Sequence, residues 1–307
     1  MKLLVTGVSG FLGLNAALQL RDRFELTGCY HAHPLTMSGV CTVRCDLTQA
    51  DEIESLVDDS RPEIIVHAAG LTNVDQCERD PALAVRLNVA AARTVARQAQ
   101  RIGARLLHIS TDHLFDGTRP MRSETDPTSP LNVYAQTKWK AEREVQAACP
   151  GALIVRTNFF GWGSPVRESF SDWVLHGLQQ SDQLRMFADV FFTPLLVNDL
   201  IDRAVALLER DGSGVVNIVG ADRLSKYAFG LRLARTFGFS EDQILAVETS
   251  TVSLNAVRPR DMSLSSLRAE ELLGSPMPSV DAGLARLQQL GAGGWPQKLA
   301  RAVVAAS

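Results

Sequence analysis

Tyr134-Ala135-Gln136-Thr137-Lys138 sets a phenol and an ammonium four residues apart. On a helix, residues i and i+4 share one face. A cation beside a phenol favours the phenolate, so Lys138 is expected to draw the Tyr134 pKa down from about 10 into a range useful for proton transfer. Reduction of a carbonyl needs a proton at oxygen as hydride reaches carbon. Tyr134 fits the donor role, with Lys138 tuning it and able to hold a nicotinamide ribose. The same spacing is common on exposed helices that do no chemistry, so the upstream context decides. His108-Ile109-Ser110-Thr111-Asp112 closes an apolar run, and the carboxyl ends of strands are where α/β sheets receive ligands. Thr111 is the candidate that hydrogen-bonds a substrate carbonyl; Ser110, Thr111 and Asp112 could each simply cap a turn.

A second feature fits the same chemistry. Thr6-Gly7-Val8-Ser9-Gly10-Phe11-Leu12-Gly13 follows an apolar run and opens a helical stretch. Gly7 permits a tight turn, Gly10 a close approach of backbone to pyrophosphate, and Gly13 close packing of helix on strand. A dinucleotide pyrophosphate would sit at the positive end of that helix. The second strand ends in Gly28-Cys29-Tyr30-His31-Ala32-His33, with no carboxylate to hold a ribose 2′-hydroxyl. That favours NADP, with NAD the alternative, because no arginine stands there to meet a 2′-phosphate. His31 and His33 are the candidates, each equally readable as an exposed loop residue. Asp46, closing the third strand, is placed to contact adenine or to cap the next helix.

Elements must position these groups. Leu3–Thr6, Leu26–Tyr30, Val40–Arg44, Ile64–His67, Leu106–Ser110 and Leu153–Thr157 are short apolar runs without polar alternation, as expected of strands buried on both faces. Leu12–Arg23, Ala50–Ser60, Ala82–Ile102 and Ala135–Ala147 carry helix formers between them. The alternation predicts a Rossmann-type α/β fold, a doubly wound parallel sheet, with a smaller interleaved C-terminal substrate domain. The pattern loosens after Phe159, so residues 1–157 are expected to bind the cofactor and 158–307 mainly the substrate. Segments near Val215–Val219 are expected to return to the main sheet.

The 307 residues are 46% hydrophobic with a formal charge of −3, enough for a large core. Lysines and arginines are dispersed among acids, which argues against a nucleic-acid or membrane-surface partner. No apolar run is long enough to cross a bilayer, and the start reads as a buried strand, not a signal peptide. Cys29, Cys41, Cys45, Cys77 and Cys149 lack zinc-ligand spacing. A cytoplasmic protein without a structural metal is expected.

The chain resembles the extended short-chain dehydrogenase/reductases, within them the dTDP-4-dehydrorhamnose reductase group. The resemblance rests on Val5–Gly13, on His67-Ala68-Ala69-Gly70-Leu71-Thr72-Asn73-Val74-Asp75 through Glu78 and Pro81, and on Asn88-Val89-Ala90. It continues through His108–Gly117, Pro130–Tyr134, Arg156-Thr157, Thr193-Pro194 and Arg258-Pro259. It implies Thr111, Tyr134 and Lys138 as the catalytic set. It implies a pyrophosphate on Gly7, Gly10 and Gly13, with Ser9, Phe11 and Leu12 in the same turn, and adenine on Asp46 and Leu47. Ala68, Ala69 and Gly70 would approach the cofactor ribose and diphosphate, Val74 would border the substrate, and Arg258 would grip a nucleotide diphosphate. Arg260 reads equally as a second phosphate contact or a surface ion-pair partner. A nucleotide-sugar substrate is implied, a homodimer is left open, and the expected reaction is reduction of the C4 ketone of a 6-deoxy-keto-sugar. The group commonly has Tyr after Ser-Thr-Asp, where this chain has His113. It tends to read Arg-Thr-Ser-Trp, where this chain has Arg156-Thr157-Asn158-Phe159. Those positions face the sugar in the group, so His113, Asn158 and Phe159 join the expected substrate contacts and the sugar stays open. The chain is also similar to the methionine adenosyltransferase β subunit, which keeps alive a non-catalytic regulatory reading beside a reductase or epimerase of another nucleotide sugar.

Overall fold

The computed structural model describes residues 1–252 and 256–303. Seven strands form its main sheet: β1 (Lys2–Thr6), β2 (Glu25–Tyr30), β3 (Val40–Arg44), β4 (Ile64–His67), β5 (Arg105–Ile109), β6 (Leu153–Arg156) and β7 (Gly214–Asn217). Their order is β7-β6-β5-β4-β1-β2-β3, with every neighbouring pair parallel. This is the doubly wound Rossmann arrangement. The chain reverses direction across the sheet at β1, and the crevice beyond the strand ends there is where such sheets bind ligands.

Helices cover both faces, because central strands such as β4 and β6 are buried at every residue. On one face α1 (Phe11–Leu20) packs into the core. On the other lie α2 (Ala50–Ser60), α3 (Ala91–Ile102) and α4 (Val133–Ala148). Further on come α5 (Phe170–Gln179), α6 (Val197–Glu209), α7 (Lys226–Phe237) and α8 (Val280–Ala292). Helix α6 joins α1 on its face, whereas α5, α7 and α8 enclose a separate core around Phe160, Phe192 and Phe229. Three two-stranded pairs frame that core: Phe159–Phe160 with Leu195–Leu196, Phe191–Phe192 with Leu224–Ser225, and Leu184–Phe187 with Ile244–Val247.

Two expectations need correction. Strand β3 is not buried on both faces: Cys41, Val43 and Arg44 are exposed, because β3 is the sheet edge and has cover on one side only. The single helix expected over Ala82–Ile102 is three pieces, a turn at Pro81–Ala84, a π-helical turn at Val85–Ala90, and α3. The wide turn carries Asn88, whose buried amide donates to the Leu71 carbonyl and the Thr137 hydroxyl, while its oxygen accepts from Leu71 N at 2.7 Å. A local bulge that aims a side chain in this way is a recurrent use of π geometry. Among the described residues no helix is long and apolar enough to cross a membrane.

Candidate functional site

The glycine turn is built as its spacing requires. Gly7 has φ +69° and an added Cβ would lie 2.8 Å from Ala69 Cα; a Cβ on Gly13 would lie 2.2 Å from the Gly7 carbonyl oxygen. Neither position accepts a side chain without moving backbone. Helix α1 then starts at Phe11 with no side-chain cap on Gly10, so its first N–H groups have no intrahelical partner. They open onto a cavity of about 590 Å³ lined by Gly10, Phe11, Leu12 and Gly13 on one side and Ala68, Ala69 and Gly70 on the other. Gly7 and Ser9 shape the turn from outside that lining. A concave cradle with unsatisfied donors at a helix start fits a dinucleotide pyrophosphate.

Thr111, Tyr134 and Lys138 line the same cavity. Strand β5 delivers Thr111, since Ser110 N continues the parallel ladder by donating to the Val155 carbonyl at 2.7 Å. Helix α4 delivers the other two. Asn132 caps its start by accepting from Ala135 N at 2.9 Å, while its amide donates to the Val257 carbonyl. Tyr134 therefore sits in a pinned first turn. Burial pushes the pKa of its phenol up to about 12 against the lowering pull of the neighbouring Thr111 hydroxyl, with the Asp112 carboxylate adding to the rise. The lowering expected from Lys138 is absent. The ammonium instead donates to the Ile109 carbonyl at 2.6 Å, and burial lowers its own pKa to about 8 against the opposing pull of Glu142. The result is a phenol that keeps its proton at neutral pH.

A second cavity of about 730 Å³ adjoins the first, and Val74, His113, Asn158 and Phe170 line both. His113 stands edge-on to the Tyr134 ring at 5.6 Å, and burial holds its pKa below the usual imidazole value. Asn158 donates to Asp112 at 2.6 Å. Arg258 lines the second cavity with its guanidinium 3.2 Å from both Asp75 oxygens, and Arg260 lines it while lying 3.9 Å from Asp189. Phe159 goes elsewhere: it packs on Phe11 at 5.3 Å, on the glycine-turn side.

The expected adenosine end is less enclosed. His31 is 60% exposed with Nε2 3.8 Å from the Asp46 carboxylate, and neither they nor Leu47 line the first cavity. Asp46 accepts from Thr48 N and Oγ1, which lowers its pKa and shapes the turn before α2. His33 is exposed.

Several cavity residues carry no local signature. Lys226, the first residue of α7, holds its ammonium 3.4 Å from the Phe192 ring centre and 4.7 Å from that of Phe170. Phe170 and Trp173, three apart on α5, stack at 6.0 Å; that spacing was visible in the sequence and reads as core packing. Arg185, an exposed residue, also lines the second cavity.

The sequence profile of the RmlD substrate binding domain matches residues 1–290. A dTDP-4-dehydrorhamnose reductase of Escherichia coli is 30% identical over 253 residues, covering 79% of this chain and 84% of its own. Methionine adenosyltransferase 2 subunit beta of Danio rerio is 29% identical, covering 91% and 87%. The crystal structure of a Bacillus anthracis dTDP-4-dehydrorhamnose reductase in complex with NADP superposes with a TM-score of 0.83 at 26% identity, covering 94% of this chain and 99% of that one.

Proposed function

Because the chain belongs to the RmlD substrate binding domain family, we propose that it is an NADPH-dependent reductase of the C4 ketone of a nucleotide-linked 6-deoxy-keto-sugar. The observation that carries the reading is that Thr111, Tyr134 and Lys138 line one cavity with an uncapped helix start. Residues 1–157 would hold the cofactor and the later part mainly the sugar nucleotide. The proposed compartment is the cytoplasm, where free thiols such as the five here persist.

A reduced nicotinamide, when bound, supplies the hydride. Phe11, Leu12 and Gly13 N–H groups would hold its pyrophosphate, Ala68 to Gly70 its inner ribose and diphosphate, and His31, Asp46 and Leu47 its adenosine end. Thr111 and Tyr134 together present hydroxyls to the substrate carbonyl oxygen. As hydride adds to carbon, the C=O electron pair moves to oxygen, which takes the Tyr134 proton. A phenol with a pKa near 12 keeps its proton until an alkoxide, a stronger base, develops. Lys138, buried with its ammonium on the Ile109 carbonyl, would hold the nicotinamide ribose. His113, Asn158 and Val74 would border the sugar and Arg258 the diphosphate.

The test is turnover. Purified protein is incubated with NADPH and dTDP-4-keto-6-deoxyglucose, with and without its epimerised form, while loss of the reduced nicotinamide is followed. Consumption that disappears in Tyr134→Phe supports the proposal. A second reading, a non-catalytic regulatory subunit, draws on the subunit beta relative. NADPH binding without turnover on any keto-sugar nucleotide, with a partner enzyme co-purifying, would favour it. Turnover on a different sugar nucleotide would support the reductase or epimerase alternative, to which His113 in place of a tyrosine points.

A further inference from the structure

The second cavity is strongly cationic. Among the described residues Arg185, Lys226, Arg258 and Arg260 line it against one carboxylate, Asp75. These cations are not equivalent. Arg258 is already held by both oxygens of Asp75, and Arg260 is drawn to Asp189. Arg185 is exposed. Lys226 lines the cavity close enough to His113 and Asp112 for charge to act between them, and its ammonium is seated on the Phe192 and Phe170 rings. Among the described residues it makes no ion pair and its ammonium donates no hydrogen bond. The acid that most affects it is Asp112, whose carboxylate is occupied by the Asn158 amide at 2.6 Å.

The half-buried ammonium has three donors and no acceptor among the described residues, and burial lowers its pKa to about 8. Two aromatic faces fix where the charge points. They supply no directional acceptor. We propose that Lys226 receives an anionic oxygen of the substrate at the sugar end of the cavity, and so sets which sugar nucleotides bind. The inference rests on the nucleotide-sugar reading of the site. The oxygen has two sources of the same chemistry: the phosphoryl group next to the sugar, or a carboxylate carried by the sugar.

Calorimetric titration of the NADP-loaded protein separates them. The probes are dTDP, UDP-glucose and UDP-glucuronate, against wild type, Lys226→Met and Lys226→Arg. A charge-assisted hydrogen bond lost on truncation weakens binding by about tenfold to a hundredfold. If dTDP itself weakens by that factor in Lys226→Met, the partner is the phosphoryl oxygen. If dTDP and UDP-glucose hold while UDP-glucuronate weakens, it is the sugar carboxylate. In either case Lys226→Arg restores part of the loss, and NADPH affinity does not move, which a merely structural role would not produce. Wild-type binding of the probes with Lys226→Met unchanged for all of them overturns the proposal alone. A wild-type protein that binds none of the probes overturns both the proposal and the nucleotide-sugar reading.

Discussion

Glu142 lies two helical turns beyond Tyr134 on α4 and ties that helix to the sheet. Its carboxylate accepts from Arg156 Nε at 3.0 Å and Nη2 at 2.8 Å, and from the Ser110 hydroxyl at 2.5 Å. Glu142 is 4% exposed and Arg156 5%, so water does not replace what a mutation removes. Glu142→Gln keeps the volume and one oxygen for Ser110, but sets an NH₂ group against a guanidinium donor and leaves Arg156 without a counter-ion. Arg156 Nη1 already lacks a partner. Breaking one side of a buried pair costs about 3–5 kcal/mol, which at roughly 2–4 °C per kcal/mol for a chain of this size lowers Tm by about 6–20 °C. Urea titration and a thermal melt at neutral pH measure it. The control is the double variant Glu142→Leu with Arg156→Met, which removes both charges and is expected to recover most of the loss. A single-variant loss below about 1 kcal/mol, or a double variant as unstable as the single, would refute the claim that an uncompensated charge is the cause.

Other expectations follow from the same geometry. Tyr134→Phe is expected to lower kcat by about 10²–10⁴ while NADPH affinity, followed by nicotinamide fluorescence, stays level. Gly13→Ala forces a Cβ to 2.2 Å from the Gly7 carbonyl; the turn must open, and NADPH affinity is expected to fall by about tenfold or more in the same titration. Buried His67, with its pKa lowered to about 3 by burial and by Lys138, stays neutral in the fold while the unfolded chain takes up a proton below about pH 6.5. Stability from this source is therefore lost as pH falls from about 6.5 towards 3; urea midpoints across that window should drop, less steeply in His67→Asn. Lys138 and Lys226 act on the alkaline side. Both have pKa values of about 8 against an ordinary 10.5, so the unfolded chain binds more protons between those limits and stability rises with pH there. Lys138→Met should flatten that rise.

What could be read from the sequence was whatever depends on neighbours along the chain. Strand positions and the glycine turn are local patterns of period and backbone tolerance, and the sheet reproduces them to within a residue or two. The pairing of Thr111 with Tyr134 was accessible because each lies at an element end that the alternation already located. The Tyr134 pKa was not. Four-residue spacing brings Lys138 to the right face, but whether its charge reaches the phenol depends on the Ile109 carbonyl, which takes the ammonium at the end of β5. The exposure of β3 is non-local in the same way, since nothing in Val40–Arg44 reveals that no eighth strand lies beyond it. Lys226 is the extreme case. A lysine at a helix start reads as a solvated side chain, and its seat in the cavity depends on Phe170 and Phe192, more than thirty residues earlier. Side chains at strand ends and helix starts owe their positions to backbone and can be found from sequence. Those whose role depends on a charge left without a partner cannot, because that property belongs to the assembled cavity and to no segment of it.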